Sequence, residues 1–230
     1  MSSNCESCIR YKSSDDDSPS EMTPESFETI TILDWDDTIL PTTWLFRNCY
    51  QTGQLTEEQK VVLERTQKSA DEFLRCVVNC STKVIIITNA EKDWVIRSCE
   101  AFFNSLFSYI QSKIMIFSAR DECLSQTSID SSLWKQYTFQ KVLDGYRNII
   151  NNKKMSVFSI GDSLYERQAV MNYGMLNGDI CVKSIKMMDG PSPSQLIKQQ
   201  ELIAKCLPSM INKFEHVDLK LALQPPANSM

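Results

Sequence analysis

Apolar positions recur along the chain in two periods, and the changes of period divide it into short strands and longer helices. Five short runs rich in β-branched and apolar residues have the length of buried strands. Between them lie stretches in which apolar residues return every three or four positions, as on one face of a helix. The predicted strands are residues 29–34, 83–88, 113–118, 155–160 and 180–185, and the predicted helices are residues 56–80, 92–107, 133–150, 164–173 and 193–213.

Strands that alternate with helices are typical of right-handed βαβ crossovers. We therefore expect an α/β fold, with a parallel sheet of about five or more strands covered by helices on both faces. The first helix has a capping signature at Thr56, and Pro193 suits the first turn of the last one. The stretch 119–132 is predicted to be a polar loop.

The two ends of the chain differ in composition from the region between them. Residues 1–26 are rich in Ser, Asp, Glu and Pro, so they offer little apolar surface to offset the entropy of ordering. We predict a disordered acidic tail there and a flexible tail over residues 223–230. The region 27–222 is predicted to be a single α/β domain with a helical extension from about residue 190.

Composition and charge narrow the classes of partner and compartment. The chain has 230 residues, a net charge of −5 and a pI of about 5.1, which argues against binding to nucleic acid. It has no apolar run long enough for a membrane span and no basic, apolar leader, so we expect neither membrane insertion nor secretion. Nine cysteines without framework spacing indicate reduced thiols in a cytoplasmic or nuclear compartment.

Carboxylates cluster directly after the first predicted strand. Asp34, Asp36 and Asp37 follow the apolar run, and strand ends are where open α/β sheets place their chemistry. If the chain stays extended, a period of two aims Asp34 and Asp36 the same way and Asp37 elsewhere. Carboxylates this close repel each other, which indicates a divalent metal, a shared proton, or both. The only histidine, His216, is far away in sequence, so carboxylates are the expected catalytic groups.

Other strand ends carry further candidates. Thr88 and Asn89 follow the second strand, and their side chains can donate to an anion. Lys135 begins the third helix, and Asp162 follows the fourth strand, with Glu166 on the same face one turn later. Each has a simpler interpretation: Thr88 and Asp162 as helix caps, and Lys135 as a solvated surface lysine. Their occurrence in this order favours a joint site.

Together these motifs resemble those of the haloacid dehalogenase superfamily of phosphohydrolases, whose fold is Rossmann-like. The first family motif, D-x-D-x-[TV], matches residues 34–38, and the second, a Ser or Thr at a strand end, matches Thr88. The third, a lysine, matches Lys135, with Lys141 as the alternative. The fourth, G-D-x-x-x-[DE], matches residues 161–166, although Glu166 stands where Asp is commoner. The resemblance covers about residues 29–186.

The resemblance implies a Mg²⁺-dependent phosphatase that works through an aspartyl-phosphate. Asp34 would be the nucleophile and Asp36 the general acid and base. Thr88, Asn89 and Lys135 would bind the phosphoryl group. The implied metal ligands are Asp34, the carbonyl of Asp36, Asp162 and, directly or through water, Glu166.

The resemblance also bears on the substrate. Family members carry cap insertions over the site, but residues 41–55 are too few for a large cap domain, so we expect an open site. Open sites in the family tend to serve macromolecules, which implies a phosphorylated substrate such as a phosphoprotein. A small-metabolite phosphatase and a non-catalytic interaction module are the alternatives. The expected docking aromatics are Trp44, Phe46 and Tyr50, and Trp35, Trp44 and Trp134 either line the cleft or belong to the core.

Overall fold

Six parallel strands form one central sheet. The computed structural model describes residues 27–49, 54–124, 129–151 and 153–222, so both expected tails and Tyr50 lie outside the described residues. The strand order is β3-β2-β1-β4-β5-β6, and every neighbouring pair is parallel. The predicted α/β class and the all-parallel sheet of a Rossmann-like architecture are confirmed. The strands are β1 (Glu28–Leu33), β2 (Lys83–Thr88), β3 (Met115–Ser118), β4 (Met155–Gly161), β5 (Ile180–Lys186) and β6 (Val217–Lys220).

Helices cover both faces of this sheet. Successive strand residues point to opposite faces, so Ile32 and Leu33 belong to different apolar clusters. One cluster joins the sheet to α2, α3, α4 and α8, and the other joins it to α6 and α7. The helices are α1 (Thr42–Cys49), α2 (Glu57–Cys80), α3 (Lys92–Phe102), α4 (Asn104–Lys113), α5 (Ala119–Leu124), α6 (Trp134–Ile149), α7 (Leu164–Leu176) and α8 (Pro193–Ile211). None of these helices, which are those of the described ranges, is long and apolar enough to cross a membrane.

The strand order places a crevice between β1 and β4. From β1 the chain leads first to β2 and β3 on one side and then returns to β4 on the other. Leu33 pairs with Ile160, and the amide of Asp34 donates to the carbonyl oxygen of Ile160 over 3.0 Å. The ends of the two strands are therefore adjacent, at the topological switch point where ligands of such sheets bind.

Several predicted elements are wrong in detail. The expected helix 92–107 is two helices that break at Phe103, a fully buried residue with φ −129° and ψ 44°. The second of them continues to Lys113, so β3 begins at Met115 and not at residue 113. The expected polar loop contains α5, because Ala119 and Cys123 are buried and the Ser118 hydroxyl accepts from the amide of Asp121 over 3.0 Å.

The C-terminal extension is more than helical. After α8 the chain returns to the sheet, and β6 pairs with β5 from Val217 to Lys220. His216, which precedes this strand, accepts a hydrogen bond from the amide of Val182 over 3.3 Å. The lone histidine therefore helps attach the sixth strand.

Candidate functional site

A buried lysine joins two of the predicted site carboxylates. The Nζ atom of Lys135 lies 2.8 Å from Oδ1 of Asp34 and donates a hydrogen bond to Oε1 of Glu166. All three side chains are almost inaccessible to solvent. Burial lowers the pKa of Lys135, but the negative charges of Asp34 and Glu166 together outweigh burial and raise it. The interpretation of Lys135 as a solvated surface residue is therefore wrong, because the ammonium is an internal counter-ion.

Lys141, the alternative third motif, lies elsewhere. Its ammonium pairs with Glu122, and its side chain is 55% exposed. Lys135, six positions earlier on α6, is 2% exposed. Of the two lysines, the structure brings only Lys135 to Asp34.

Glu166 is held at both carboxylate oxygens. Its Oε1 atom accepts from Lys135. Its Oε2 atom accepts from the amide of Ser163 over 3.0 Å, a hydrogen bond of the capping box of α7, and also from the Ser163 hydroxyl. A Cβ added at Gly161 would lie 2.6 Å from Cγ of Glu166, so this position requires glycine for close packing. The fourth motif therefore couples the end of β4 to the lysine.

The carboxylates of Asp34, Asp162 and Glu166 can converge on one point. Each offers an oxygen, and these oxygens lie within 4.8 Å of one another. Burial raises the pKa of Asp34 well above its usual value, and the charges of Glu166 and Asp36 add to this against that of Lys135. Burial, with a contribution from Glu166, also raises the pKa of Asp162 to about 7.

The cluster has more carboxylates than the ammonium of Lys135 can balance. Asp34, Asp162 and Glu166 lie around this one ammonium, so their formal charge is negative when all three are ionised. A divalent cation would offset this excess, and oxygen ligands suit a hard ion such as Mg²⁺. The residues present therefore fit a metal, with Asp34 and Asp162 as the freer ligands because both oxygens of Glu166 have partners.

The side chain of Asp36 belongs to a separate part of the site. Its Oδ1 accepts from the Thr42 hydroxyl over 2.6 Å and from the Trp94 indole N–H over 2.8 Å. Its Oδ2 lies 3.4 Å from the Thr88 hydroxyl. The Asp36 side chain is not part of the carboxylate cluster around Asp34.

Asp37, the third carboxylate of the first motif, is bound by Thr43 of α1. It has φ 54°, and its carboxylate accepts from the amide and the hydroxyl of Thr43 in the first turn of α1. Burial raises the pKa of Asp37, and the hydrogen bonds from Thr43 oppose this shift. Its role is to hold the start of α1 beside the site.

The second motif provides polar groups at the same edge of the sheet. Thr88 is 1% exposed, and its hydroxyl accepts from the amide of Ala90 over 3.0 Å, as in a local turn. The Oδ1 atom of Asn89 is buried without a hydrogen-bond partner among the described residues. The interpretation of Thr88 as a helix cap is wrong, because the N-cap residue of α3 is Glu91. The Thr88 hydroxyl faces Asp36 instead.

The structure decides between the two alternatives for the tryptophans. Trp35 is fully buried, and its indole donates to the Ser98 hydroxyl over 2.9 Å, so it belongs to the core and not to a cleft. Trp44 and Trp134 are half-buried and pack against the two apolar clusters. The tryptophan at the site is Trp94 on α3, which no local motif indicated.

Two further contacts that the motifs did not indicate hold the site loops. Gln200 on α8 is fully buried and donates to the carbonyl oxygen of Thr38 over 3.0 Å. The ammonium of Lys186 at the end of β5 donates to the carbonyl oxygen of Asp162. Neither contact had a clear signal in the sequence, because a single Gln or Lys in a sequence does not show whether its side chain is buried.

Four separated segments thus meet at one edge of the sheet. They are the loop after β1, the end of β2, the start of α6 and the turn from β4 into α7. Comparisons with protein-family models, with curated protein sequences and with solved structures found no match to this chain.

Proposed function

We propose that this chain is a Mg²⁺-dependent phosphohydrolase of the haloacid dehalogenase type. The observation that carries the proposal is the Lys135 ammonium held between Asp34 and Glu166 beside Asp162. This cluster lies at a topological switch point, where open α/β sheets bind their ligands. A nucleophile, an anion-binding cation and metal ligands in one crevice are what phosphoryl transfer requires.

The first half of the reaction uses both motif aspartates. An Asp34 carboxylate oxygen attacks phosphorus and forms the aspartyl-phosphate while the bond from phosphorus to the leaving oxygen breaks. Asp36, as the general acid, gives a proton to that oxygen. The Lys135 ammonium and the Thr88 hydroxyl hold the phosphoryl oxygens as negative charge spreads over them.

The second half reverses the role of Asp36. Its carboxylate takes a proton from water as the water oxygen attacks phosphorus, and the bond to Asp34 breaks to release inorganic phosphate. Asp34, Asp162 and the carbonyl of Asp36 would hold the metal. Bound Mg²⁺ would neutralise the crowded carboxylates and polarise a phosphoryl oxygen.

We further propose that the substrate is a phosphorylated macromolecule, in the first place a phosphoprotein. Phe46, 56% exposed, stacks on Trp94 with 5.9 Å between ring centroids, and Trp94 donates to the proposed acid. An exposed aromatic ring beside the leaving-group position offers contact area to a partner larger than the phosphate itself. Remote contacts of this kind can be used to raise the rate.

The test measures phosphate release by the full chain from phosphopeptides, sugar phosphates, nucleotides and p-nitrophenyl phosphate, with Mg²⁺ and with EDTA. We expect Mg²⁺-dependent turnover, and the best phosphopeptide should exceed the best metabolite about tenfold in kcat/KM, equivalent to about 1.4 kcal/mol. A metabolite with ordinary enzymatic efficiency and inactive phosphopeptides would contradict the substrate proposal. Absence of any Mg²⁺-dependent turnover would contradict the phosphohydrolase and favour a binding module.

A further inference from the structure

Asp36 has an asymmetric set of partners that distinguishes its two carboxylate oxygens. Oδ1 accepts two hydrogen bonds at ordinary lengths, from Thr42 at 2.6 Å and from Trp94 at 2.8 Å. Among the residues that the structure describes, Oδ2 accepts only from the Thr88 hydroxyl, over 3.4 Å. A carboxylate oxygen that accepts two donors has little remaining capacity for a proton.

We infer that Trp94 is a positioning residue, which with Thr42 fixes the Asp36 carboxyl group so that Oδ2 is the oxygen that gives and takes the proton. The inference rests on the proposed function. In the first half-reaction the proton leaves Oδ2 for the leaving oxygen as the bond from that oxygen to phosphorus breaks. In the second half-reaction Oδ2 takes a proton from the attacking water.

The surroundings of Trp94 support a fixed orientation. Its indole is half-buried on α3 and stacks against Phe46 of α1 at an interplanar angle of 16°. Thr42 lies on the same short helix as Phe46, and the start of that helix is held by Asp37 through Thr43. The two donors to Oδ1 therefore come from two different helices that contact each other. Rotation of the carboxyl group would break both hydrogen bonds at once.

The orientation also suits the reaction. Oδ2 is the oxygen on the side of Thr88, whose hydroxyl is proposed to hold the phosphoryl group. Proton transfer in a transition state requires the donor atom within hydrogen-bond reach of its target. With Oδ1 occupied by donors from the two helices, Oδ2 is the oxygen that faces the proposed phosphoryl site.

The decisive experiment is the dependence of kcat/KM on the leaving group. A general acid matters for a poor leaving group and hardly at all for a good one, since a good leaving group departs without protonation. The variants Trp94→Phe and Thr42→Val each remove one donor to Oδ1, and Trp94→Phe retains a ring to stack on Phe46. For phenyl phosphate we expect each to lose about tenfold or more in kcat/KM, and for 2,4-dinitrophenyl phosphate less than about twofold.

Thr43→Val is the matched control. It makes the same substitution one position along α1 but removes the hydroxyl donor from Asp37 in place of Asp36. The amide of residue 43 still donates to Asp37, so the start of α1 stays held. We expect it to lower thermal stability and to leave the ratio of the two kcat/KM values at the wild-type level. Because Thr42→Val and Trp94→Phe change different helices, the test stands if either one fails to fold.

Equal losses for both substrates in the folded variants would overturn the positioning role and leave a structural one. The positioning role would also be overturned if Thr43→Val changed the ratio of the two kcat/KM values as much as Thr42→Val does. In both cases wild-type turnover would persist, so the phosphohydrolase proposal would stand. A wild-type chain with no turnover of either ester would overturn both.

Discussion

The Nζ atom of Lys135 lies 2.8 Å from Oδ1 of Asp34 in the interior of the protein, although the two residues belong to motifs about one hundred positions apart in the chain. The same ammonium reaches Glu166 from the fourth motif. One lysine therefore holds together the ends of three elements, β1, α6 and α7, before any substrate is present. It is a structural counter-ion as well as the proposed phosphate-binding residue.

Replacing this lysine should cost both stability and activity. Lys135→Met leaves two buried carboxylates without their counter-charge, and we expect a loss of about 3–5 kcal/mol in the free energy of unfolding. Lys141→Met is the matched control on the same helix, and its exposed pair with Glu122 should contribute less than about 1 kcal/mol. Urea denaturation and phosphate release check both variants. Equal effects of the two substitutions would contradict the assignment of the third motif.

Removing the proposed nucleophile should separate activity from stability. Asp34→Asn deletes the attacking anion, so turnover should disappear. Since burial raises the pKa of Asp34, its charged form is unfavourable in the fold, and the melting temperature should stay unchanged or rise. Asp71→Asn, which changes a carboxylate paired with Arg75 on the exposed side of α2, is the control and should retain full turnover. Residual activity above a few per cent in Asp34→Asn would argue against this nucleophile.

The metal-free protein should lose stability as the pH rises from about 4 to about 7. The folded-state pKa of Asp162 is raised to about 7, so between the unfolded and folded values the folded protein holds a proton that the unfolded chain has released. The lowered pKa of Glu166 acts in the opposite direction, but only at lower pH. Thermal unfolding in EDTA at pH 5.5 and pH 8 measures the effect. Asp162→Asn should make the loss of stability smaller, while the raised pKa values of Asp34 and Asp37 maintain the rest of it. An unchanged profile in that variant would assign the whole effect to other groups.

A methyl group at Gly161 should disturb the site through Glu166. The added Cβ would lie 2.6 Å from Cγ and 2.9 Å from Cδ of a side chain already fixed by Lys135 and Ser163. We expect Gly161→Ala to cost about 1–3 kcal/mol by overpacking. Gly145→Ala in α6 meets no atom within 4 Å and should instead stabilise by about 0.4–1 kcal/mol. The urea midpoints of the two variants should move in opposite directions, and a shared direction would contradict the packing argument.

The features that could be predicted from the sequence are those encoded locally. β2 occupies the predicted residues 83–88, because an apolar run bounded by polar residues is a local pattern. Asp34 and Asp162 were identifiable because strand ends are recognisable and parallel strands bring their ends together. The strand β6 was missed because its four residues are mostly exposed and show no buried pattern.

The features that could not be predicted depend on packing between distant segments. The hydrogen bond from Trp94 to Asp36 joins residues 58 positions apart, and in the sequence Trp94 is only one more apolar position of a helix. Phe103 also fits a helical period, yet the helix breaks there. Such choices are made by tertiary contacts that override local preference.

The contact of Gln200 with Thr38 has a consequence for the order in which the protein is made. The two residues are 162 positions apart, and the glutamine lies on the last helix of the fold. During synthesis the first motif leaves the ribosome early, but the side chain that holds its loop is among the last parts of the described chain to appear. A nascent chain that ends before α8 therefore lacks the hydrogen bond from Gln200 to this loop, and a segment of the site that is synthesised early acquires one of its supports late.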